Sequence, residues 1–163
     1  MKVIRVTGDG YKKLDAATKS IKGWQAKVGW VARKQYPDSE MTTAGAAAIA
    51  EYGAPSKNIP PRPIMRPTIA KQKNLWAQIA RNEGKLILEG KQTGQGAMER
   101  IGLQAAGDAR ETITQIFSPP LSPKTIAARL RRYKNKKTVG NLTKPLVDTK
   151  TLLNSLTNTV ERE

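Results

Sequence analysis

The chain has 163 residues, enough for one domain with a buried core, and 38% of them are hydrophobic but only 5% aromatic. Its 29 lysines and arginines against 13 acids give a formal charge of +16, which selects for acidic partners (nucleic acid, an anionic surface or an acidic protein) without choosing among them. The absence of cysteine and histidine excludes disulfides, thiolate or imidazole metal sites, and catalysis by a nucleophile with a histidine base.

Residues 1–7 are rich in β-branched side chains and end at Gly8-Asp9-Gly10, which predicts a strand closed by a turn. This N-terminus lacks the apolar core of a signal peptide, and the most apolar run, residues 44–50, is too short to span a bilayer. No membrane partner is expected, and the protein should be made and used in the cytoplasm or in a particle built there. A short helix is predicted over residues 11–20, with Leu14, Ala17 and Ile21 on one face. Trp24, Ala26, Val28 and Trp30 then alternate with Gln25, Lys27 and Gly29, the period of a half-buried strand whose two tryptophans should anchor a sheet to a helix.

Residues 36–39 (Tyr-Pro-Asp-Ser) carry turn chemistry. Thr42 or Thr43 can cap an alanine-rich helix that Gly53 is placed to stop. Residues 54–67 form a proline-rich tether in which Pro60, Pro61 and Pro63 favour an extended rod that presents Arg62 and Arg66. Pro67 suits the first turn of a helix, and Ile69, Leu75, Trp76, Ile79, Leu86 and Ile87 mark its apolar stripe to about residue 89.

Gly90, Gly94 and Gly96 interrupt the pattern before Met98, Ile101, Ala105, Ala109, Ile113 and Ile116 restore it, which predicts an antiparallel helix pair. Three prolines between Ser118 and Pro123 stop the second helix. Residues 118–145 read as a basic extended arm, since Lys124, Arg129, Arg131, Arg132, Lys134, Lys136 and Lys137 follow one another with no acid between them. At the C-terminus Asp148 is a candidate N-cap, Leu152, Leu153 and Leu156 the apolar edge of a short helix, and residues 157–160 a final strand.

These elements predict a single α+β domain over 1–163, with a small antiparallel sheet packed against two longer helices and with extended arms. Asp9, Asp38, Glu40 and Glu51 show no spacing that suits a metal or an acid–base pair and are expected to be scattered surface acids, so no catalytic residue, cofactor or metal is expected. Candidate partner-binding residues are Tyr52, Pro61, Arg62, Pro63 and Arg66 on the tether, and Arg129, Arg131, Arg132, Lys134, Lys136 and Lys137 on the arm. A non-specific nucleic-acid-binding protein that uses the basic arm is the alternative function from another class.

The order Val28-Gly-Trp30, Tyr36-Pro-Asp38, Ala48-Ile-Ala-Glu-Tyr-Gly53, Ile59-Pro-Pro-Arg-Pro-Ile-Met-Arg-Pro67, Pro123-Lys-Thr-Ile126 and Lys144-Pro-Leu-Val-Asp-Thr149 resembles the neck and tail-completion proteins of tailed bacteriophages. The resemblance covers most of the chain, and departs at Lys150, where this family commonly has glycine, and at Ile64, where it often has an aromatic residue. It implies a non-enzymatic virion protein at the head–tail junction, forming a ring, hexameric by resemblance, that completes the tail and joins it to the head connector. Its partners would then be itself, other neck and tail proteins and genomic DNA passing through the ring. A tail terminator is the alternative within the same resemblance.

Overall fold

The computed structural model describes residues 8–30, 35, 40–134, 142–147 and 150–163. The strand expected over residues 1–7, the turn at 36–39, Lys136, Lys137 and the Asp148 cap lie outside the described residues. Six α-helices and a two-stranded antiparallel sheet make up the regular structure of the described residues, in the order α1 (Asp9–Ile21), β1 (Trp24–Gly29), α2 (Thr43–Tyr52), α3 (Met65–Leu88), α4 (Gly94–Gln115), α5 (Pro123–Tyr133), α6 (Thr151–Ser155) and β2 (Thr157–Arg162). The fold is α+β.

α3 and α4 form the antiparallel pair that their apolar periods predict. Three contacts set the register along its length: Thr68 Oγ1 donates to Thr112 Oγ1 at 2.7 Å, Trp76 Nε1 to Asp108 Oδ2 at 2.6 Å, and Arg100 pairs with Glu83 at 3.2 Å. Residue numbers rise on one helix as they fall on the other. α4 starts where Thr93 caps it, its hydroxyl accepting from the Gly96 N–H at 3.1 Å. Small residues on α4 decide what can approach it: a Cβ at Gly102 would sit 3.3 Å from Ala26 Cβ and from Asn158 Cβ, so the sheet lies directly on this helix. Gly94 is tighter still, because a Cβ there would come within 2.0 Å of the Ser20 carbonyl oxygen at the end of α1.

β1 pairs with β2 so that Ala26 faces Val160 and Val28 faces Asn158. Period-two alternation puts these residues against α4 and leaves Gln25, Lys27 and Glu161 on the opposite, solvated face, where Lys27 pairs with Glu161. The two tryptophans divide their roles. Trp30 borders the main core and donates from Nε1 to the Leu152 carbonyl at 2.8 Å, whereas Trp24 stacks with the Arg162 guanidinium, 5.7 Å from the ring centre.

The main core gathers Ala47 and Ala50 of α2, Ile64, Ala109 and Ile113 of α4, and Leu152 and Leu156 around α6. A second cluster of Ala17, Ile87 and Ala97 seats α1 on the far end of the α3–α4 pair. Alanine supplies much of both clusters, so these helices pack closely while each side chain removes little area from water. Leu14, expected on the buried face of α1, is instead exposed, and the helix is held by Ala17 and half-buried Ile21.

Two expectations change. The segment expected to be an extended basic arm over 118–145 contains α5: Ser122 caps it by accepting from the Thr125 N–H at 3.2 Å, and Pro123 occupies its first turn, where the missing N–H costs nothing. The tether over 54–67 is no free rod either. Pro55–Lys57 makes one 3₁₀ turn, Ala54 and Ile59 exchange backbone hydrogen bonds at 2.9 and 3.1 Å, and residues from Met65 onward already belong to α3.

Candidate interaction site

α3 begins without a capping side chain of its own, since its N-cap position holds Ile64 and the residues after it are Met65, Arg66 and Pro67. Its first N–H groups nevertheless need acceptors, because no helical carbonyl precedes them. Glu51, at the end of α2, supplies them. Its carboxylate accepts from the N–H of Ile64 at 2.5 Å, of Met65 at 2.9 Å and of Arg66 at 3.2 Å, and from Arg66 Nε at 2.9 Å. Arg66 also donates from Nη2 to the Glu51 carbonyl at 2.6 Å. Burial by itself would raise the Glu51 pKa, but the three backbone N–H groups and the Arg66 guanidinium outweigh it and hold the carboxyl below its ordinary range.

Glu51 is therefore a buried structural carboxylate, which corrects its expected place among scattered surface acids. The sequence did hold a signal for this: a helix that opens Ile-Met-Arg-Pro has no local cap and needs one from elsewhere. Gly53 completes the joint. Its φ of 77° favours glycine, and a Cβ would meet the Ile59 carbonyl oxygen at 2.8 Å, so the chain can fold back over the end of α2 only here. The Arg62 N–H then closes the loop on the Ala50 carbonyl at 2.6 Å.

The two tether arginines, expected to be displayed together, point to different neighbours. Arg66 is largely exposed and lies over the Tyr52 ring, 5.3 Å from its centre. Arg62 is only 8% exposed, and its Nε and Nη2 donate to the carbonyls of Pro119 and Pro120 at 2.8 and 2.9 Å. Burial first, and then repulsion from the Arg129 guanidinium, push its pKa below the ordinary arginine value. Arg62 thus clamps the tether to the loop before α5, and the stiff prolines serve that clamp; Pro61 stays exposed and Pro63 is half-buried.

On α5, Arg129 is buried and donates to the Lys144 carbonyl at 2.8 Å, drawing residues 142–147 against the helix. Arg131, Arg132 and Lys134 lie exposed on the helix and at its end. The predicted partner-binding residues therefore fall into an outward set (Tyr52, Pro61, Arg66, Arg131, Arg132, Lys134), an inward pair, Arg62 and Arg129, and half-buried Pro63, while Lys136 and Lys137 lie outside the described residues.

Beside the Glu51–Arg66 lock lies an open notch of about 380 Å³ whose walls include Trp30, Ala48, Tyr52, Met65 and Ile69. Tyr52 is 70% exposed and Ile69 47% exposed at its rim. A large aromatic and a β-branched side chain exposed to water beside a guanidinium held by Glu51 form a patch of the kind that anchors protein interfaces. Among the described residues no helix is long and apolar enough to cross a membrane. Compared with family models, curated proteins and solved structures, the chain matches none of them.

Proposed function

We propose that this protein is a non-enzymatic structural component of a tailed-phage virion, forming a ring at the head–tail junction that completes the tail and joins it to the head connector. The observation that carries this reading is that two of the motifs of the resemblance meet in one small region. The Glu-Tyr-Gly run and the Pro-Arg-Pro-Ile-Met-Arg-Pro run form a single lock, and that lock holds Tyr52 and Arg66 at the edge of an exposed apolar notch. A ring closed by head-to-tail contacts needs two different patches on each subunit. The notch on α2 and α3 and the basic surface of α5 supply two patches of different chemistry. In the ring, the notch receives an apolar side chain of the adjacent copy or of a tail protein, and Arg66 draws a carboxylate to its rim.

The test is assembly with a subunit whose notch is blunted. A Tyr52→Ser and Ile69→Ser double variant should remain folded, because both side chains are exposed, yet leave filled heads and finished tails unjoined. Normal particle yield removes the notch from the assembly role. A second reading, non-specific nucleic-acid binding, is favoured by one feature: residues 112–147 contain eight lysines and arginines and no acid. Tight binding of the isolated protein to duplex DNA that collapses as salt rises supports that reading; weak binding alongside ring formation on tail tips supports the neck.

A further inference from the structure

Where the tether loop meets the start of α5, a polar cleft of about 420 Å³ opens that takes no part in the lock or the notch. Lys57, Asn58 and Arg62 line it from the tether, and Ser122, Lys124 and Thr125 from the start of α5. No acidic residue lines it among the described residues. We infer that this cleft is a binding site for a phosphoryl oxyanion, with Lys57 and Lys124 as its mobile cations and Arg62 as its fixed one.

Two independent observations lead there. Buried charges in proteins are ordinarily matched by an opposite charge, yet the side chain of Arg62, more than nine-tenths buried, meets the carbonyls of Pro119 and Pro120 and forms no ion pair among the described residues. Carbonyl oxygens satisfy its N–H groups but leave its positive charge unneutralised, and the nearby Arg129 guanidinium adds repulsion. Lys57 and Lys124 at the cleft are both exposed, and neither forms an ion pair among the described residues. Three cationic residues thus line one cavity, and no acidic residue is among its described lining residues.

The shape and the donors favour phosphate over carboxylate. A single carboxylate neutralises one of the three cations, whereas a phosphate dianion, or two consecutive phosphodiesters, matches more of the charge and presents oxygens in several directions. The Asn58 amide and the Ser122 and Thr125 hydroxyls add neutral hydrogen-bonding groups around such a tetrahedral group. Ile59, Pro60, Pro120 and Leu121 wall the cleft with apolar surface that lowers the local dielectric and strengthens the attraction. The same chemistry can come from free phosphate or a phosphomonoester, or from the backbone of a nucleic acid.

The experiment is an amide NMR titration of the full chain, once with inorganic phosphate and once with a short oligothymidylate. Two variants accompany it: Lys57→Ala with Lys124→Ala, and, as a control for the general basic surface, Arg131→Ala with Arg132→Ala. The expected result is a saturable shift of the Lys57, Asn58, Lys124 and Thr125 amides, weakened about tenfold or more in the first variant and within about twofold of wild type in the second. Saturation by phosphate alone assigns a free phosphate or monoester; saturation by the oligonucleotide, alone or in competition with phosphate, assigns a nucleic-acid backbone. The inference is overturned if neither probe shifts these amides, if the outer face of α5 responds equally, or if only an acidic peptide binds there. It stands apart from the neck reading: particles that join normally with the Lys57→Ala and Lys124→Ala subunit leave that reading intact, and a failed titration leaves it untouched.

Discussion

Glu51 holds two elements at once, since its carboxylate, carried on the last turn of α2, caps α3 and fixes Arg66. Glu51→Ala removes an acceptor shared by three backbone N–H groups and a guanidinium, and should cost about 2–4 kcal/mol in denaturant unfolding; Glu51→Gln, which keeps part of the geometry, should cost less. Because the folded carboxyl lies below its ordinary value of 4.5, its contribution is fully present above that value and is lost as pH falls through the lower folded value. Wild-type stability should therefore drop on acidification below about pH 4.5 more steeply than that of Glu51→Gln, measured as unfolding midpoints across that range. Equal slopes would show that Glu51 is not the group being titrated.

Arg62 and Lys150 belong to the same scale. A lysine in place of Arg62 cannot reach both the Pro119 and Pro120 carbonyls with a fixed fork, so Arg62→Lys should destabilise the fold by about 1–3 kcal/mol although it preserves charge. A change within about 0.5 kcal/mol would mean that the clamp contributes little. Lys150 has φ 57°, in the left-handed region where a Cβ is strained. Glycine adopts this conformation without that strain, and Lys150→Gly should raise stability by about 0.5–1 kcal/mol, read as a higher unfolding midpoint.

At the scale of elements, legibility followed the strength of local periodicity. The apolar stripes from Ile69 to Ile87 and from Met98 to Ile116 specify α3 and α4, and the alternation around Trp24 to Trp30 specifies β1, because each pattern repeats over enough residues to outweigh local noise. α5 was obscured by charge: seven cations between Lys124 and Lys137 argue for an exposed coil, but Ser122 and Pro123 form a strong start signal, and the buried Arg129 supplies a polar anchor where a hydrophobe is ordinarily expected. The tether departs from its expected free display of Arg62 for a related reason. Proline stiffness is visible in the sequence, whereas the acceptors that bend it back, Glu51 and the Ala50, Pro119 and Pro120 carbonyls, are long-range partners. Of the candidate interaction residues, the exposed Tyr52 and Arg66 were legible from the motif, while the inward turn of Arg62 and the cleft at Lys57 and Lys124 appear only once the loops before α3 and α5 meet.

The α3–α4 pair tests this account of packing. Trp76→Phe keeps most of the buried area and removes the 2.6 Å donor to Asp108, whose carboxylate then retains the Gln104 amide at 3.0 Å. It should cost about 1–3 kcal/mol, with Asp108→Asn in the same background restoring part of the loss because the buried charge is removed with its partner. No recovery in the double variant would place the cost in ring packing.

For the whole molecule, two surfaces differ in character: an apolar notch bordered by Tyr52, Arg66 and Ile69, and an acid-free basic region centred on α5. Rigidity matters because a subunit that docks in a ring loses less entropy when its contact residues are already held, as the Glu51 lock holds Arg66. The formal charge of +16 makes separate copies repel one another, which on the proposed neck reading would hold free subunits apart before assembly. The most direct measurement is electron microscopy of phage particles assembled in the absence of this protein. The account predicts DNA-filled heads beside free tails of normal length, rescued by the wild-type subunit and not by the Tyr52→Ser and Ile69→Ser variant. Overlong tails would assign termination in place of joining, and intact, infectious particles would contradict a role at the junction.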